Sequence, residues 1–178
     1  MGDDDGVHLR RWLVGDAEVL ARLVLESREH LRPWMGWATD DPIRLDERRK
    51  LLMGWESDWR AGGDVVLGTF WGDVPVGGCG LHRRIGPRGL EIGYWTHPGY
   101  LRRGMATSAA RLLVGAAFSL PQITHVEIHH DKANAASAGV PRNLGFELID
   151  ERPDQPEAFA EVGIECRWRM LRDRWAHA

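Results

Sequence analysis

The chain has 178 residues, 43% hydrophobic and 28% charged, with a formal net charge of -3. That supplies the core of one ordinary domain, 1–178, and fits poorly with a disordered chain, a collagen-like repeat or a surface built mainly for nucleic acid. No apolar run approaches the roughly 18 to 20 residues of a bilayer span, and the start Met1-Gly-Asp-Asp-Asp is acidic where a signal peptide is basic, so no membrane partner and a cytoplasmic location are expected.

Residues 8–14 read as a first strand, with Asp16 as the N-cap of a helix whose Leu20, Leu23, Val24 and Ser27 recur at helical spacing. Residues 31–41, containing Arg32-Pro33-Trp34-Met35-Gly36-Trp37, form an apolar loop. Asp41-Pro42 opens a second helix, with Leu45, Leu52, Trp55 and Trp59 on one side and Gly62-Gly63 at its end. Residues 65–71, 74–85 and 90–96 are strands of an antiparallel meander joined by short turns. Within it, Gly77-Gly78-Cys79-Gly80 is too short for a dinucleotide fingerprint and fits a strand whose small residues permit close approach.

After Gly104 the period becomes helical, with Met105, Ala109, Leu112, Leu113 and Ala116 in one apolar stripe. Residues 123–129 form the next strand; a short helix around 135–144, interrupted by Pro141, ends at Gly145, and strands near 146–152 and 162–171 follow. There is no internal repeat or linker, so the fold class is α+β. The two cysteines, Cys79 and Cys166, stand far apart and offer neither a disulfide framework nor a paired-cysteine zinc site. Only two of the 23 basic residues, Lys50 and Lys132, are lysines, a usage that points to a GC-rich bacterial genome.

Common catalytic signatures are missing. Neither lysine follows a glycine, which excludes a Walker phosphate loop, and no serine sits in Gly-x-Ser-x-Gly, which excludes a hydrolase elbow. The stretch Glu91-Ile-Gly-Tyr-Trp-Thr-His-Pro-Gly-Tyr-Leu-Arg-Arg-Gly-Met-Ala106 runs from a strand through a turn into a helix. Main-chain donors at 102–106 are then exposed at a helix N-terminus, with Arg102 and Arg103 adding positive charge and Gly104 removing a Cβ, an arrangement suited to phosphate groups or simply to a basic helix start.

Gly104-x-Ala106 after the two arginines, Asn134-Ala-Ala-Ser137 and Leu144-Gly-Phe146 resemble the GNAT superfamily of acetyl-CoA-dependent N-acetyltransferases. Glu29-His-Leu-Arg-Pro-Trp34 and Gly93-Tyr-Trp95 bring the chain close to its RimJ/RimL-like branch, named for ribosomal-protein N-terminal acetyltransferases. Leu101 departs from the general motif, which often has Gln or Arg there. The resemblance implies a mixed, mostly antiparallel central sheet splayed between strands 4 and 5, with helices on both faces. It also implies a pantetheine arm lying in the splay. Tyr94, Trp95 and Thr96 then map to pantetheine and oxyanion contacts, Leu101, Arg102, Arg103, Gly104, Met105 and Ala106 to the pyrophosphate loop, and Asn134 and Ser137 to the region of the leaving sulfur, with Ser137 as proton donor. Read without the family, Asn134 is a helix N-cap and Ser137 a small packing residue.

Amine acetylation needs the acceptor's proton removed, since an α-amino group titrates near ~8 and a lysine near ~10.4. Glu91, beside the cleft, is the first candidate base and otherwise a solvated strand charge; Glu157 and Glu161 come second. His125, Glu127 and His129 alternate onto one strand face, but same-face residues nearly ~7 Å apart do not converge on one ion, so no metal is expected. His130 could face the acceptor and His97 the cofactor turn. Trp34, Trp37, Trp55 and Trp71 suggest an aromatic-walled acceptor pocket, with core packing or a dimer contact as the alternative.

The resulting expectation is an N-acetyltransferase that moves the acetyl group of acetyl-CoA directly to an amine, a protein N-terminus or a small molecule, through a ternary complex, with no nucleic-acid partner. The modest net charge leans towards a small molecule, and homodimers are common in the branch. The other class left open is a non-catalytic acyl-CoA-binding regulatory module.

Overall fold

The computed structural model describes residues 6–40 and 43–175. Val7–Arg11 forms β1, shorter than expected because the chain turns beyond it: the Asp16 carboxylate accepts the Leu13 N–H at 2.8 Å and pairs with Arg10 at 2.6 Å. Asp16 precedes Ala17–Leu31 (α1) as its N-cap residue, yet these bonds draw its side chain away from the helix end. Leu20, Leu23, Val24 and Ser27 are buried, as the spacing predicts. Leu45–Arg60 (α2) ends where Gly62 takes a φ of 75°, a conformation that favours glycine. Its expected opening at Asp41-Pro42 lies outside the described residues.

Val65–Trp71 (β2), Val74–His82 (β3) and Gly89–Thr96 (β4) make the antiparallel meander. β3 stops at His82 rather than 85 because the Asp64 carboxylate takes the Arg83 N–H at 2.8 Å and removes it from the ladder. Met105–Phe118 (α3), His125–Asp131 (β5), Ala135–Asn143 (α4), Glu147–Pro153 (β6) and Ile164–Leu171 (β7) follow. A terminal turn, Arg172–Trp175 (α5), had no sequence signal. Its Arg172 guanidinium donates to the carbonyls of Phe118, Leu120 and Ile123, closing the end of α3.

The strand order is β1-β2-β3-β4-β5-β7-β6. Every neighbouring pair is antiparallel except β4 and β5, which run parallel and pair only at Gly89↔His125, Leu90↔Val126 and Glu91↔Glu127. Past Glu91 the two strands part, which is the expected splay. One sheet face carries α1 and α2 over Trp12, Leu23, Leu52 and Phe70. The other carries α3 over Leu90, Ile92, Val126, Ile128 and Trp168, where burial stabilises by about 1.5–3 kcal/mol per large apolar side chain. The buried stripe of α3 is Ala109, Ala110, Leu113, Val114 and Ala117, turned from the expected one because α4 covers the helix as well as the sheet. Leu112 and Ala116 are half-buried at its border. Among the described residues, no helix is long and apolar enough to cross a membrane.

Candidate active site

A cavity of about 810 Å³ opens where β4 leaves β5, on the α1/α2 face of the sheet. Its floor follows from strand alternation. In the β3–β4 register His82 faces Glu91, Gly80 faces Gly93 and Gly78 faces Trp95, so these six positions share one face. A Cβ on Gly78 would stand 2.5 Å from Trp95 Nε1, and one on either Gly80 or Gly93 would stand 3.2 Å from His82 Nε2. The expected close approach at the glycine run is made by these two rings and by main-chain carbonyls, that of Trp95 at Gly77 and that of Val65, 2.6 Å from a Cβ, at Gly80. Trp34, Trp37 and Trp55 line the walls, with Trp37 and Trp95 6.2 Å apart between ring centres. Arg48 of α2 is buried in the wall. The roof joins two loops: Ala160 donates to the Pro33 carbonyl at 3.2 Å, and a Cβ at Gly36 would meet the Glu157 carbonyl at 2.8 Å.

Across β4, Tyr94 projects towards α4. Its hydroxyl donates to the Ser137 carbonyl at 3.0 Å and lies 3.1 Å from Ser137 Oγ. Burial pushes the phenol up to about 12, so it stays a proton carrier at neutral pH. Asn134 Oδ1 accepts the Ser137 N–H at 3.1 Å, so Asn134 is the N-cap of α4 and fixes Ser137. Both residues line the cavity. Pro141 is buried in α4.

The turn before α3 is exposed at Leu101, Arg102, Arg103 and Gly104. Gly104 has φ 81° and a Cβ there would meet nothing within 4 Å, so its glycine serves the backbone conformation and leaves the space in front of the helix open. Arg102 is also left-handed, with φ 57°, and the Arg103 guanidinium sits 5.3 Å from the Tyr100 ring centre. The Met105 side chain packs with Val7 and Val76, which leaves only main-chain groups of Met105 and Ala106 for a ligand. Thr96, at the end of β4, is buried.

Glu91 lines the cavity, with its oxygens 3.7 Å from Arg84 and 3.8 Å from His129. Glu157 and Glu161 also border it, but the Glu161 carboxylate accepts the N–H groups of Glu157 and Ala158 and holds its own loop. His125, Glu127 and His129 do share a face. Glu127 is wholly buried and accepts from Arg169, from Arg167 at 3.1 Å and from His129 at 2.6 Å. Burial pushes its carboxyl up, but those three partners outweigh it and hold it at about 2. The cluster ties β5 to β7. His130 reaches the cavity from the other face, with Nε2 accepting from Trp168 at 2.9 Å and Nδ1 against the Asp131 carbonyl at 2.8 Å. His97 Nδ1 accepts the Gly99 N–H in the turn before α3.

Trp71 requires a correction: alternation along β2 turns it to the α3 face, where it meets Tyr100 edge-on, 44% exposed and outside the cavity. Trp59 likewise stacks under Arg11 away from the site. The reading of the sequence passed over Asp64 and His82. His82 Nδ1 lies 2.8 Å from Asp64 Oδ2, a hydrogen-bond contact bridging 18 positions of the chain. Its one sequence signal was a histidine two residues beyond a glycine run, which acquires meaning only once β3 and β4 are in register.

Residues 7–147 match the family described as the acetyltransferase (GNAT) domain. A Bacillus subtilis (strain 168) protein named "Putative ribosomal N-acetyltransferase YdaF" is 27% identical over 133 residues, 74% of this chain and 72% of the relative. Among solved structures, RimL, the ribosomal L7/L12 alpha-N-protein acetyltransferase in complex with coenzyme A, superposes with a TM-score of 0.86 at 19% identity, covering 95% of this chain and 96% of its own. The microcin C7 self-immunity acetyltransferase MccE, in complex with acetyl-CoA and AMP, gives 0.85 at 15% identity over 94% and 93% of the two chains. These likenesses extend the common fold beyond the matched segment to nearly the whole chain. With the family match across most of its length and the parted β4 and β5 in its structure, the chain belongs to the GNAT acetyltransferase family.

Proposed function

We propose that the protein is an N-acetyltransferase that carries the acetyl group of acetyl-CoA directly to a primary amine within a ternary complex. The observation that carries this reading is the parting of β4 from β5 after Glu91 and Glu127, which frees the inner edge of β4 from Ile92 to Thr96 between two different environments. On one side of the cavity stand Tyr94, Ser137 and Asn134; on the other stand its aromatic walls. A thioester held along that edge meets hydroxyl groups on its leaving side and an amine on its attacking side. Main-chain N–H groups of Tyr94 to Thr96 suit the developing oxyanion. The open helix start at Gly104 to Ala106 suits the pyrophosphate.

The amine, once neutral, forms the C–N bond as the C–S bond breaks, and the departing thiolate takes a proton through Ser137 and the Tyr94 hydroxyl. The cavity receives an amine with apolar or aromatic neighbours among Trp34, Trp37, Trp55 and Trp95. A peptide N-terminus is the first acceptor class on the strength of the relatives' names, with small amines second. Initial rates with both substrates varied test direct transfer. Intersecting double-reciprocal lines and no acetylated protein after incubation with acetyl-CoA alone are expected; parallel lines with an acetyl-enzyme would overturn it.

A further inference from the structure

The acceptor amine has to lose a proton, and the cavity offers three imidazoles and several carboxylates to take it. His129 is engaged through both nitrogens: Nε2 lies 2.6 Å from Glu127, and Nδ1 lies 3.2 Å from Glu165 and 3.8 Å from Glu91. His130 is bonded through both, to Trp168 and to the Asp131 carbonyl. His82 is different. Its Nδ1 is held at 2.8 Å by Asp64 Oδ2, whose other oxygen accepts the Arg83 N–H at 2.8 Å. Its Nε2 rests over Gly80 and Gly93 on the cavity floor.

Gly93 leaves room for that ring, since a Cβ there would crowd Nε2 at 3.2 Å, and so does the opposed Gly80, where a Cβ would also meet the Val65 carbonyl at 2.6 Å. A carboxylate beside Nδ1 selects the tautomer with its proton there and leaves Nε2, over the glycines of the cavity floor, as the acceptor nitrogen. Burial pushes the Asp64 carboxyl up, but the Arg83 N–H and the His82 ring outweigh it and keep it ionised. Gly93 belongs to the stretch of β4 that has left β5. The imidazole therefore lies on the acceptor side of the strand along which the thioester is placed.

We propose that His82, oriented by Asp64, is the base that takes the acceptor's proton. The proposal rests on the acetyl-transfer reading above. His82 Nε2 accepts one proton from the ammonium; the freed lone pair forms the C–N bond with the thioester carbonyl carbon, and collapse of the oxyanion breaks the C–S bond. The second amine proton passes to the thiolate through Ser137 and Tyr94, and the first leaves the imidazolium for solvent. Glu91, the cross-strand neighbour of His82, lies 3.7 Å from the Arg84 guanidinium and 3.8 Å from the His129 ring, and stabilises positive charge beside the base rather than carrying the proton. An imidazole is also the better match to an amine, at about 6.5 against about 4.3 for a glutamate in ordinary surroundings. The charged groups against the ring are Asp64 before β2 and Arg84 after β3, whose guanidinium lies 3.5 Å from Nδ1; Glu91 on β4 is its cross-strand neighbour, and Arg48 on α2 and His129 on β5 line the same cavity.

The test combines kinetics with spectroscopy on the full chain. Acetyl transfer is assayed with N-terminal peptides, amino acids and polyamines, and the best acceptor is carried forward. His82→Gln is expected to keep its circular dichroism and acetyl-CoA affinity, lose about 100-fold in kcat, and lose the acidic limb of the pH profile. Asp64→Asn is expected to move that limb to lower pH, because the charge that favours the imidazolium is gone. In wild-type protein labelled with 15N-histidine, His82 is expected to carry its proton on Nδ1. Transfer by wild type with an unchanged kcat and pH profile in His82→Gln, or an Nε2–H tautomer in wild type, overturns this inference and leaves the acetyltransferase reading standing. Absence of transfer to every amine despite acetyl-CoA binding removes the reading itself, and the assignment of His82 with it.

Discussion

Gly78 and Trp95 face one another across β3 and β4, and the indole occupies the place a side chain at Gly78 would need, with Nε1 2.5 Å from that Cβ position. The same indole meets Trp37 from the cavity wall. A Gly78→Val change must therefore lift Trp95 off the sheet and into the acceptor cavity. The expected result is a loss of about 1–3 kcal/mol in stability together with a higher KM for the acceptor and little change in that for acetyl-CoA, measured by thermal unfolding and initial rates.

Glu127 is wholly buried and held at about 2 by His129, Arg169 and Arg167 against the burial that opposes its charge, compared with an ordinary 4.5. Because its folded value is depressed, its contribution is fully present above 4.5 and lost as pH falls towards 2. The shift corresponds to about 3 kcal/mol. Acid unfolding followed by circular dichroism is expected to show that loss in wild type. Glu127→Gln is expected to be less stable at neutral pH by about 3 kcal/mol or more, since two arginines keep their charges without the carboxylate, and to lose most of the pH dependence in that window.

Gly104 carries φ 81° at the start of α3 with open space in front of it. Gly104→Val strains the backbone by about 1–2 kcal/mol and places a branched side chain where the pyrophosphate is proposed to lie. Isothermal titration is expected to show acetyl-CoA affinity at least ten-fold weaker, with α3 retained in circular dichroism.

Ser137 and Tyr94 form one hydrogen-bonded pair on the leaving-group side. If that pair delivers the thiolate's proton, Ser137→Ala and Tyr94→Phe are expected to lower kcat by similar factors, about ten-fold or more, and the double variant by little beyond either single change. A thioester with a more acidic leaving thiol is expected to restore much of the loss.

Local pattern made much of the fold readable. The apolar spacing of α1, the glycine stop after α2 and the short turns of the meander are near-neighbour effects, and the elements fall close to where the sequence places them. The shortened ends of β1 and β3 depend on Asp16 and Asp64 capturing main-chain N–H groups, which polarity alone does not announce. Trp71 illustrates the same limit, since one step along a strand turns a side chain to the opposite face. The residues proposed for the cofactor side rest on the family resemblance. The Asp64–His82 pair was not, because 18 positions of chain and a strand register separate its parts from any motif.

The most direct test of the central claim is acetyl-CoA-dependent thiol release across N-terminal peptides, amino acids, polyamines and aminated antibiotics, with mass spectrometry of each product. The account predicts release that depends on one amine class and a product heavier by a single acetyl group on nitrogen. Acetyl-CoA bound tightly with no acetylated amine anywhere in the panel, or no acetyl-CoA bound at all, would contradict it.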